Sequence, residues 1–421
     1  MLKGVVSVPG DKSITHRALL LAALASGTSE IIGPLQSRDC QNTVSCLRAL
    51  GIEIEEHPRR TIVHGVGLTG FRVPGTVLDC GNSGTTMRLL AGILAAQPFV
   101  SVLTGDESLL ARPMDRIVQP LRQMGALIKG RMDGQFAPLV IRGGPLTALR
   151  YELPVASAQV KSALLLAGLA GRCEVRLQGK LNSRDHTERM LVSFGADLTE
   201  EHGTLVLSPV DCLTARAVQV PGDISSAAIF LAGAAGVPGA EVTVENVGLN
   251  PTRTGFIDVL RAMGAEVSVV ETSTSGGEPC GSITVRGREL RGIAIAGEII
   301  PRLIDEIPIL AVTAAFAHGT TTIKDAAELR VKETDRIQAL AAELSKVGVD
   351  ITVQPDGLTI TGPTTWRPGE VNSRGDHRIA MSLFIAAALS GESISVTDAD
   401  CVDVSFPGFQ EILTSIVGKG R

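Results

Sequence analysis

One phrase returns along this chain and limits the folds open to it. A helix-like run, a glycine and a strand-like run occupy residues 47–54, 121–128, 191–198 and 260–267, and more loosely 344–351, with Gly51, Gly125, Gly195, Gly264 and Gly348 at the junctions. Each copy reads as helix, glycine C-cap and strand. A period of roughly 70 residues is far longer than a solenoid unit, so each copy must be a small α/β subdomain. A second helix class interleaves with the first, opening on small or polar residues before an Ala/Leu run. Its members begin near Lys12-Ser13, Asn82-Ser83-Gly84-Thr85, Ser157-Ala158-Gln159, Asp223-Ile224-Ser225-Ser226, Arg302-Leu303-Ile304-Asp305 and Asp376-His377-Arg378. Strand-like segments at 61–63, 139–141, 204–207, 283–285 and 358–360 follow the glycine-capped helices. The expected fold is α/β, built from a β-α-β-α-β-β unit repeated six times, and six units divide most simply into two domains of three. Residues 1–10 plus 223–421 are expected in one domain and 11–222 in the other, with crossings after the short N-terminal strand and near Pro221-Gly222-Asp223.

The second helix class is Ala/Gly-rich nearly all round, as in residues 163–170 and 227–235, which marks helices buried inside a domain. With 421 residues, 44% of them hydrophobic, the chain can bury two substantial cores. A net charge of −5 and only 3% aromatic residues argue against nucleic acid as a partner. Seven scattered cysteines without a C-x-x-C pair indicate neither a disulfide framework nor a metal site and fit a reducing cytoplasm. The apolar stretches 89–105 and 224–240 are broken by glycines and prolines, so no membrane span is expected. Glycine patterns for nucleotide cofactors are absent, because Gly81-Asn82-Ser83-Gly84-Thr85 lacks the spacing and the lysine.

Buried helices carry partial positive charge at their N-termini, and cations cluster there in this sequence. Lys12 and Arg17 flank the first helix start, which Ser13 or Asp11 can cap; read alone, this is equally a capped helix with solvated cations. Arg112-Pro113 stands at another helix entrance, where a solvated loop arginine is the plain alternative. Lys161, four residues after Ser157 in an apolar helix, needs an anion or a route to solvent. Ser183-Arg184-Asp185-His186-Thr187-Glu188, read alone, is first an ordinary charged cap. Asp305 and Glu306 sit at the edge of a strongly apolar run, where a buried acid needs a partner or a task. In 330–336, helical geometry would place Lys332 and Arg336 at i,i+4. It would also set Glu333 on the inward stripe of Ile337, Leu340, Leu344 and Val347. Asp376-His377-Arg378 adds an acid and a guanidinium at the last start, where a structural salt bridge is an alternative.

Taken together, Gly10-Asp11-Lys12-Ser13 with Arg17, Gly81-Asn82-Ser83-Gly84-Thr85, Arg112-Pro113, Lys332-Glu333-Thr334-Asp335-Arg336 and Asp376-His377-Arg378 resemble the 5-enolpyruvylshikimate-3-phosphate synthase family over essentially the whole chain. Ser157-Ala158-Gln159-Val160-Lys161, Arg184-Asp185-His186-Thr187-Glu188 and Asn250-Pro251-Thr252-Arg253 resemble its class II branch, whose members often tolerate glyphosate. The resemblance implies a two-domain inverse α/β barrel with the active site in the interdomain cleft. It also implies a shikimate-pathway transfer of the enolpyruvyl group of phosphoenolpyruvate to the 5-hydroxyl of shikimate 3-phosphate. Neither cofactor nor metal is implied, and a monomer is expected. By resemblance, shikimate 3-phosphate is held by Lys12, Ser13, Arg17, Ser157, Ala158, Gln159, Arg184, Asp305 and Lys332. Phosphoenolpyruvate is held by Lys12, Gly84, Thr85, Arg112, Gln159, Arg336 and Arg378. Asp305 is expected to handle the hydroxyl proton, Glu333 the methylene proton, and Lys12 the departing phosphate.

The pattern departs from class I members at Val404-Ser405-Phe406-Pro407, where they carry a lysine, and at Glu328, where some relatives have asparagine. Gly84, whose replacement by alanine commonly reduces glyphosate fit, is retained, so it and the class II phrases point in opposite directions on the inhibitor. The sister transferase acting on UDP-N-acetylglucosamine normally has a Lys-Asn pair at the first helix and a reactive cysteine before the Arg-Pro. Here the pair is Lys12-Ser13, and residues 101–112 contain no cysteine. A non-catalytic anion-binding protein on the same scaffold is opposed by retention of both candidate proton-transfer carboxylates.

Overall fold

The computed structural model describes residues 2–417, and the side chain of Val404 lies outside what it describes. The chain forms two compact units: Met1–Pro9, Pro221–Ser273 and Pro279–Arg421 make the first, and Gly10–Val220 with Thr274–Glu278 the second. The short segment Thr274–Glu278, at the tip of the hairpin joining strands Glu266–Ser275 and Glu278–Arg286, departs from a division by two cuts alone.

The second unit holds three sheets of one design. Leu78–Asp79 pairs in parallel with Val100–Thr104, which pairs antiparallel with Phe136–Arg142, with Leu127–Gly130 on the far edge. Leu149–Leu153, Val175–Gly179, Thr204–Leu207 and Leu198–Glu201 repeat the order. In each sheet the parallel pair is joined through a buried helix, Gly84–Ala95 or Ala158–Gly171, as parallel strands require. The third sheet, around Ala25–Ile32 and Arg60–Val66, takes its parallel edge from Leu213–Thr214 and Ala217–Gln219. The strand that precedes its helix Lys12–Leu24 in sequence, Lys3–Ser7, pairs instead with Glu241–Gly248 of the first unit. At the two crossings, then, the units have exchanged edge strands.

The first unit repeats the order twice, in the sheets of Lys3–Ser7, Glu241–Gly248, Glu278–Arg286 and Glu266–Ser275 and of Ala294–Ile295, Gly319–Ile323, Gly357–Gly362 and Asp350–Gln354. The sixth sheet is shorter than the repeat implies: among the described residues it holds only Gly369–Asn372 and Ile394–Thr397. The chain beyond it turns into helix Phe409–Ile416, and Phe409 packs against Phe230, Phe384 and Phe406, so this segment covers the core rather than adding a hairpin.

Local chemistry explains the repeat. The five junction glycines take φ between 87 and 107°, where a side chain would be strained. The residue after each reaches back to the helix, as in Ile52 N–H to the Leu47 carbonyl at 3.1 Å and Ala265 N–H to Leu260 at 2.9 Å. Five of the six buried helices carry a side-chain N-cap, from Asp11, Ser83, Ser157, Asp223 or Asp376. The sixth, Ile307–Phe316, starts later than the sequence suggested. A 3-10 turn fills Gly297–Arg302, Pro308 stands in the first turn, and Glu306 at the N-cap position makes no cap. The helices pack closely: a Cβ on Gly92 would lie 2.2 Å from the Ala163 carbonyl oxygen, so helices Gly84–Ala95 and Ala158–Gly171 touch backbone to backbone there. No described helix is long and apolar enough to cross a membrane.

Candidate active site

In the second unit, Asp11 caps helix Lys12–Leu24 through the Ile14 N–H at 2.9 Å, which sets Lys12 and Ser13 in the first turn. The Lys12 ammonium lies 3.1 Å from Asp39. One turn on, Arg17 is buried and donates to neutral oxygens: Thr187 Oγ1 at 2.6 Å, Ser162 Oγ at 2.9 Å and the Ser13 carbonyl at 3.0 Å. Burial pulls its pKa down to about 10, with the nearby Arg184 adding to the effect and Glu188, Asp11 and Glu278 opposing it. It stays charged at neutral pH, and its charge is only partly balanced. Half-buried Arg184 stands just before helix His186–Ser193, whose first turn supplies Thr187.

A second group forms around helix Gly84–Ala95. Gln159 donates to Thr85 Oγ1 at 3.0 Å and accepts from Arg88 at 2.5 Å, and Arg88 also donates to the Pro113 carbonyl at 3.1 Å. Arg112 is held by Asn82 Oδ1 at 2.6 Å and Ser108 Oγ at 3.2 Å. A Cβ on Gly84 would meet the Arg88 guanidinium at 2.8 Å. Ser157 spends its hydroxyl on the Val160 N–H at 3.4 Å, and Ala158 opens the helix. Lys161 finds its anion inside the unit, in Glu188 at 2.5 Å.

Behind these groups runs a chain of hydroxyls. His16 Nδ1 contacts Thr43 Oγ1 at 2.7 Å, Thr43 contacts Thr86 at 2.7 Å, and Thr86 donates to the N-cap Ser83 at 2.7 Å. The chain ties the start of helix Lys12–Leu24 to that of Gly84–Ala95. His16 has no solvent exposure, and burial lowers its pKa to about 3, with Lys12 and Arg17 reinforcing and Asp39 opposing.

The first unit brings Asp305, Lys332, Glu333, Arg336 and Arg378 together. Arg336, 1% exposed, donates to Asp376 at 2.7 Å, Glu333 at 2.7 Å and Asp305 at 3.2 Å. Burial would lower its pKa, but the charges of Asp376, Glu333 and Asp305 more than reverse this and raise it. Lys332 and Arg378 approach Asp305 at 3.8 Å each. The helical spacing expected for Lys332 and Glu333 does not hold. Asp335 caps a helix that begins only at Arg336, and the two preceding side chains reach the cluster from a non-helical turn. The stripe beyond, Ile337, Leu340, Leu344 and Val347, is buried as expected.

Several participants escaped the sequence reading. Arg88 had a signal, being a cation inside an apolar helix like Lys161. Asn82, Asp39, Ser162 and Thr187 carry no pattern that marks them as the partners of Arg112, Lys12 and Arg17. Asp376 was noted as an acid, but not as the main partner of Arg336, forty residues away in sequence.

Buried helices that open on cations and carboxylates, repeated through two three-sheet units, define an enolpyruvyl-transferase scaffold. The enolpyruvyl transferase NikO from Streptomyces tendae shares the fold, with a TM-score of 0.79 at 19% identity over 99% of this chain and 95% of that one. The family profile of EPSP synthase (3-phosphoshikimate 1-carboxyvinyltransferase) matches residues 1–413. A 3-phosphoshikimate 1-carboxyvinyltransferase from Alkaliphilus metalliredigens is 52% identical over 416 residues, 99% of this chain and 98% of that protein. The structure of EPSP synthase from Acinetobacter baumannii matches with a TM-score of 0.89 at 44% identity, over 99% of this chain and 96% of that one. The chain belongs to the EPSP synthase family.

Proposed function

We propose that the protein transfers the enolpyruvyl group of phosphoenolpyruvate to the 5-hydroxyl of shikimate 3-phosphate and releases phosphate. Family membership supports the reaction; the observation that carries the assignment of residues is the cluster around Arg336. Two carboxylates suited to proton transfer, Asp305 and Glu333, share one buried guanidinium, with two further cations beside Asp305. The reaction needs the hydroxyl deprotonated and the methylene carbon protonated, giving a tetrahedral adduct that then loses phosphate. Asp305 takes the hydroxyl proton and Glu333 delivers the methylene proton, while Lys12 stabilises the leaving phosphate.

Shikimate 3-phosphate is bound by Lys12, Ser13, Arg17, Ser157, Ala158, Gln159, Arg184, Asp305 and Lys332. Phosphoenolpyruvate is bound by Lys12, Gly84, Thr85, Arg112 and Gln159, and by Arg336 and Arg378. The partly balanced charge of Arg17 supports its part in binding an anion. Inhibition of phosphate release by titrated glyphosate decides between the class II phrases and Gly84, where a Cβ would lie 2.8 Å from the Arg88 guanidinium. The protein acts as a monomer in a reducing cytoplasm, in keeping with seven free cysteines.

Phosphate release by purified protein, with each substrate omitted in turn, tests the reaction; release must require both. Asp305→Asn and Glu333→Gln are each expected to lower kcat by about 100-fold or more with the fold intact. Near-normal turnover in either variant refutes that assignment.

A further inference from the structure

We infer that Arg253 and Glu306 form a buried charge pair that positions Asp305 and sets the electrostatic field at its carboxylate, which makes both positioning residues for proton transfer. The inference rests on the reading of Asp305 as the acceptor of the hydroxyl proton. Asn250-Pro251-Thr252-Arg253 folds as a tight turn: Asn250 Oδ1 accepts from the Thr252 N–H at 2.8 Å, and the Arg253 N–H reaches the Asn250 carbonyl at 2.8 Å. The turn sends the Arg253 side chain inward, 2% exposed, where it donates to Ser225 Oγ at 2.6 Å. Ser225 in turn donates to Glu306 Oε1. Glu306 is 1% exposed, with Oε1 3.8 Å from Arg253, while Asp223 lies 3.6 Å from the same guanidinium.

Two successive residues therefore send carboxylates to different company. Asp305 faces Arg336, Lys332 and Arg378, the first of which it shares with Glu333 and Asp376. Glu306 faces Arg253, which it shares with Asp223, and Ser225. Glu306 stands at the N-cap position of helix Ile307–Phe316 yet makes no cap, and its Oε2 meets no donor among the described residues, so helix capping does not explain a buried acid there. Well-packed apolar residues in place of the whole pair would often fill the space with no loss of stability. What the pair does supply is a fixed peptide between Asp305 and Glu306, and a negative charge one residue from Asp305 that Arg253 balances.

The two charges predict opposite effects. Removing Arg253 leaves Glu306 unbalanced and disfavours the ionised form of Asp305; neutralising Glu306 does the reverse. The test is the pH dependence of kcat, at saturating concentrations of both substrates, for full-length Arg253→Met, Glu306→Gln and the double variant. Arg253→Met is expected to lower kcat about tenfold or more with both KM values within about threefold, and to move the acidic limb up by roughly half a pH unit. Glu306→Gln is expected to move the limb down, and the double variant to return it near its original place. Limbs that stay put or move together overturn the inference. If Arg253→Met does not fold, the isosteric Glu306→Gln decides alone, and no downward shift overturns it. Asp305→Asn separates this from the reading beneath: retained turnover there refutes the role of Asp305, whereas lost turnover with unmoved limbs refutes the charge pair.

Discussion

Arg17 and Arg336 are both buried at the starts of helices, 4% and 1% exposed, and they keep opposite company. The hydrogen bonds of Arg17 go to two hydroxyls and a carbonyl, and its pKa falls to about 10 because burial is not made good by a carboxylate in contact. Arg336 is held by three carboxylates, and its pKa rises. A desolvated cation with neutral partners gains most from an arriving anion, because the anion supplies what burial removed. A cation already surrounded by carboxylates gains less from one, and it also holds them at fixed spacing and balances their charge. The second unit thus buries a cation among neutral oxygens, and the first buries one among carboxylates.

The largest break in this contrast comes from removing each arginine in turn. Arg336→Met leaves three clustered carboxylates without their shared cation and is expected to cost about 3–5 kcal/mol, read as a fall in the denaturant midpoint. Arg17→Met is expected to change stability by less than about 1 kcal/mol, because Ser162 and Thr187 remain bonded to each other at 2.6 Å. It should raise KM for shikimate 3-phosphate about 10- to 100-fold and leave that for phosphoenolpyruvate nearly unchanged, whereas Lys12→Ala should raise both. Equal stability losses for the two arginines would erase the distinction drawn here.

A smaller effect sharpens the contrast from the acid side. His16 has a folded pKa of about 3 against an ordinary 6.5, so between these values the unfolded chain binds the extra proton and stability falls as the pH falls. His16→Gln should make the second unit less acid-sensitive, by about 2 kcal/mol between pH 7 and 4.5. Urea midpoints at the two pH values check this, and an unchanged pH slope would show that the histidine is not held neutral. The smallest effect is expected from Gly84→Ala. The added methyl must displace the end of Arg88, a flexible group, so stability should hold while KM for phosphoenolpyruvate rises about three- to tenfold and glyphosate affinity falls further. Steady-state kinetics with titrated inhibitor measures both.

Much of the fold was legible because the repeat is written in residues with one physical reading. A glycine after a periodic run can take a φ near 100°, and Asp or Ser before an Ala/Leu run can cap it. What failed to show were the places where a local rule yields to a distant partner. The spacing of Lys332, Glu333 and Arg336 reads as helix, but the cap at Asp335 delays the helix by a turn, and Arg330 ties that cap down through its own 2.7 Å contact. The sixth unit follows the pattern until an aromatic cluster claims its last segment. In the site, cations at helix starts were readable because a buried charge needs a reason. Their neutral partners were not: a threonine such as Thr187 becomes a ligand of Arg17 only through pairing across 170 residues of chain.

The exchanged edge strands also carry a consequence for how the molecule is made. During synthesis Lys3–Ser7 is made before Gly10–Val220, but its partner strand Glu241–Gly248 is made only after the whole of that segment. The three sheets of the second unit therefore have all their strands in hand while the opening strand still waits with an unsatisfied edge. The order of assembly is written into the connectivity: the sheets of the second unit can form early, and the first unit completes its sheets last.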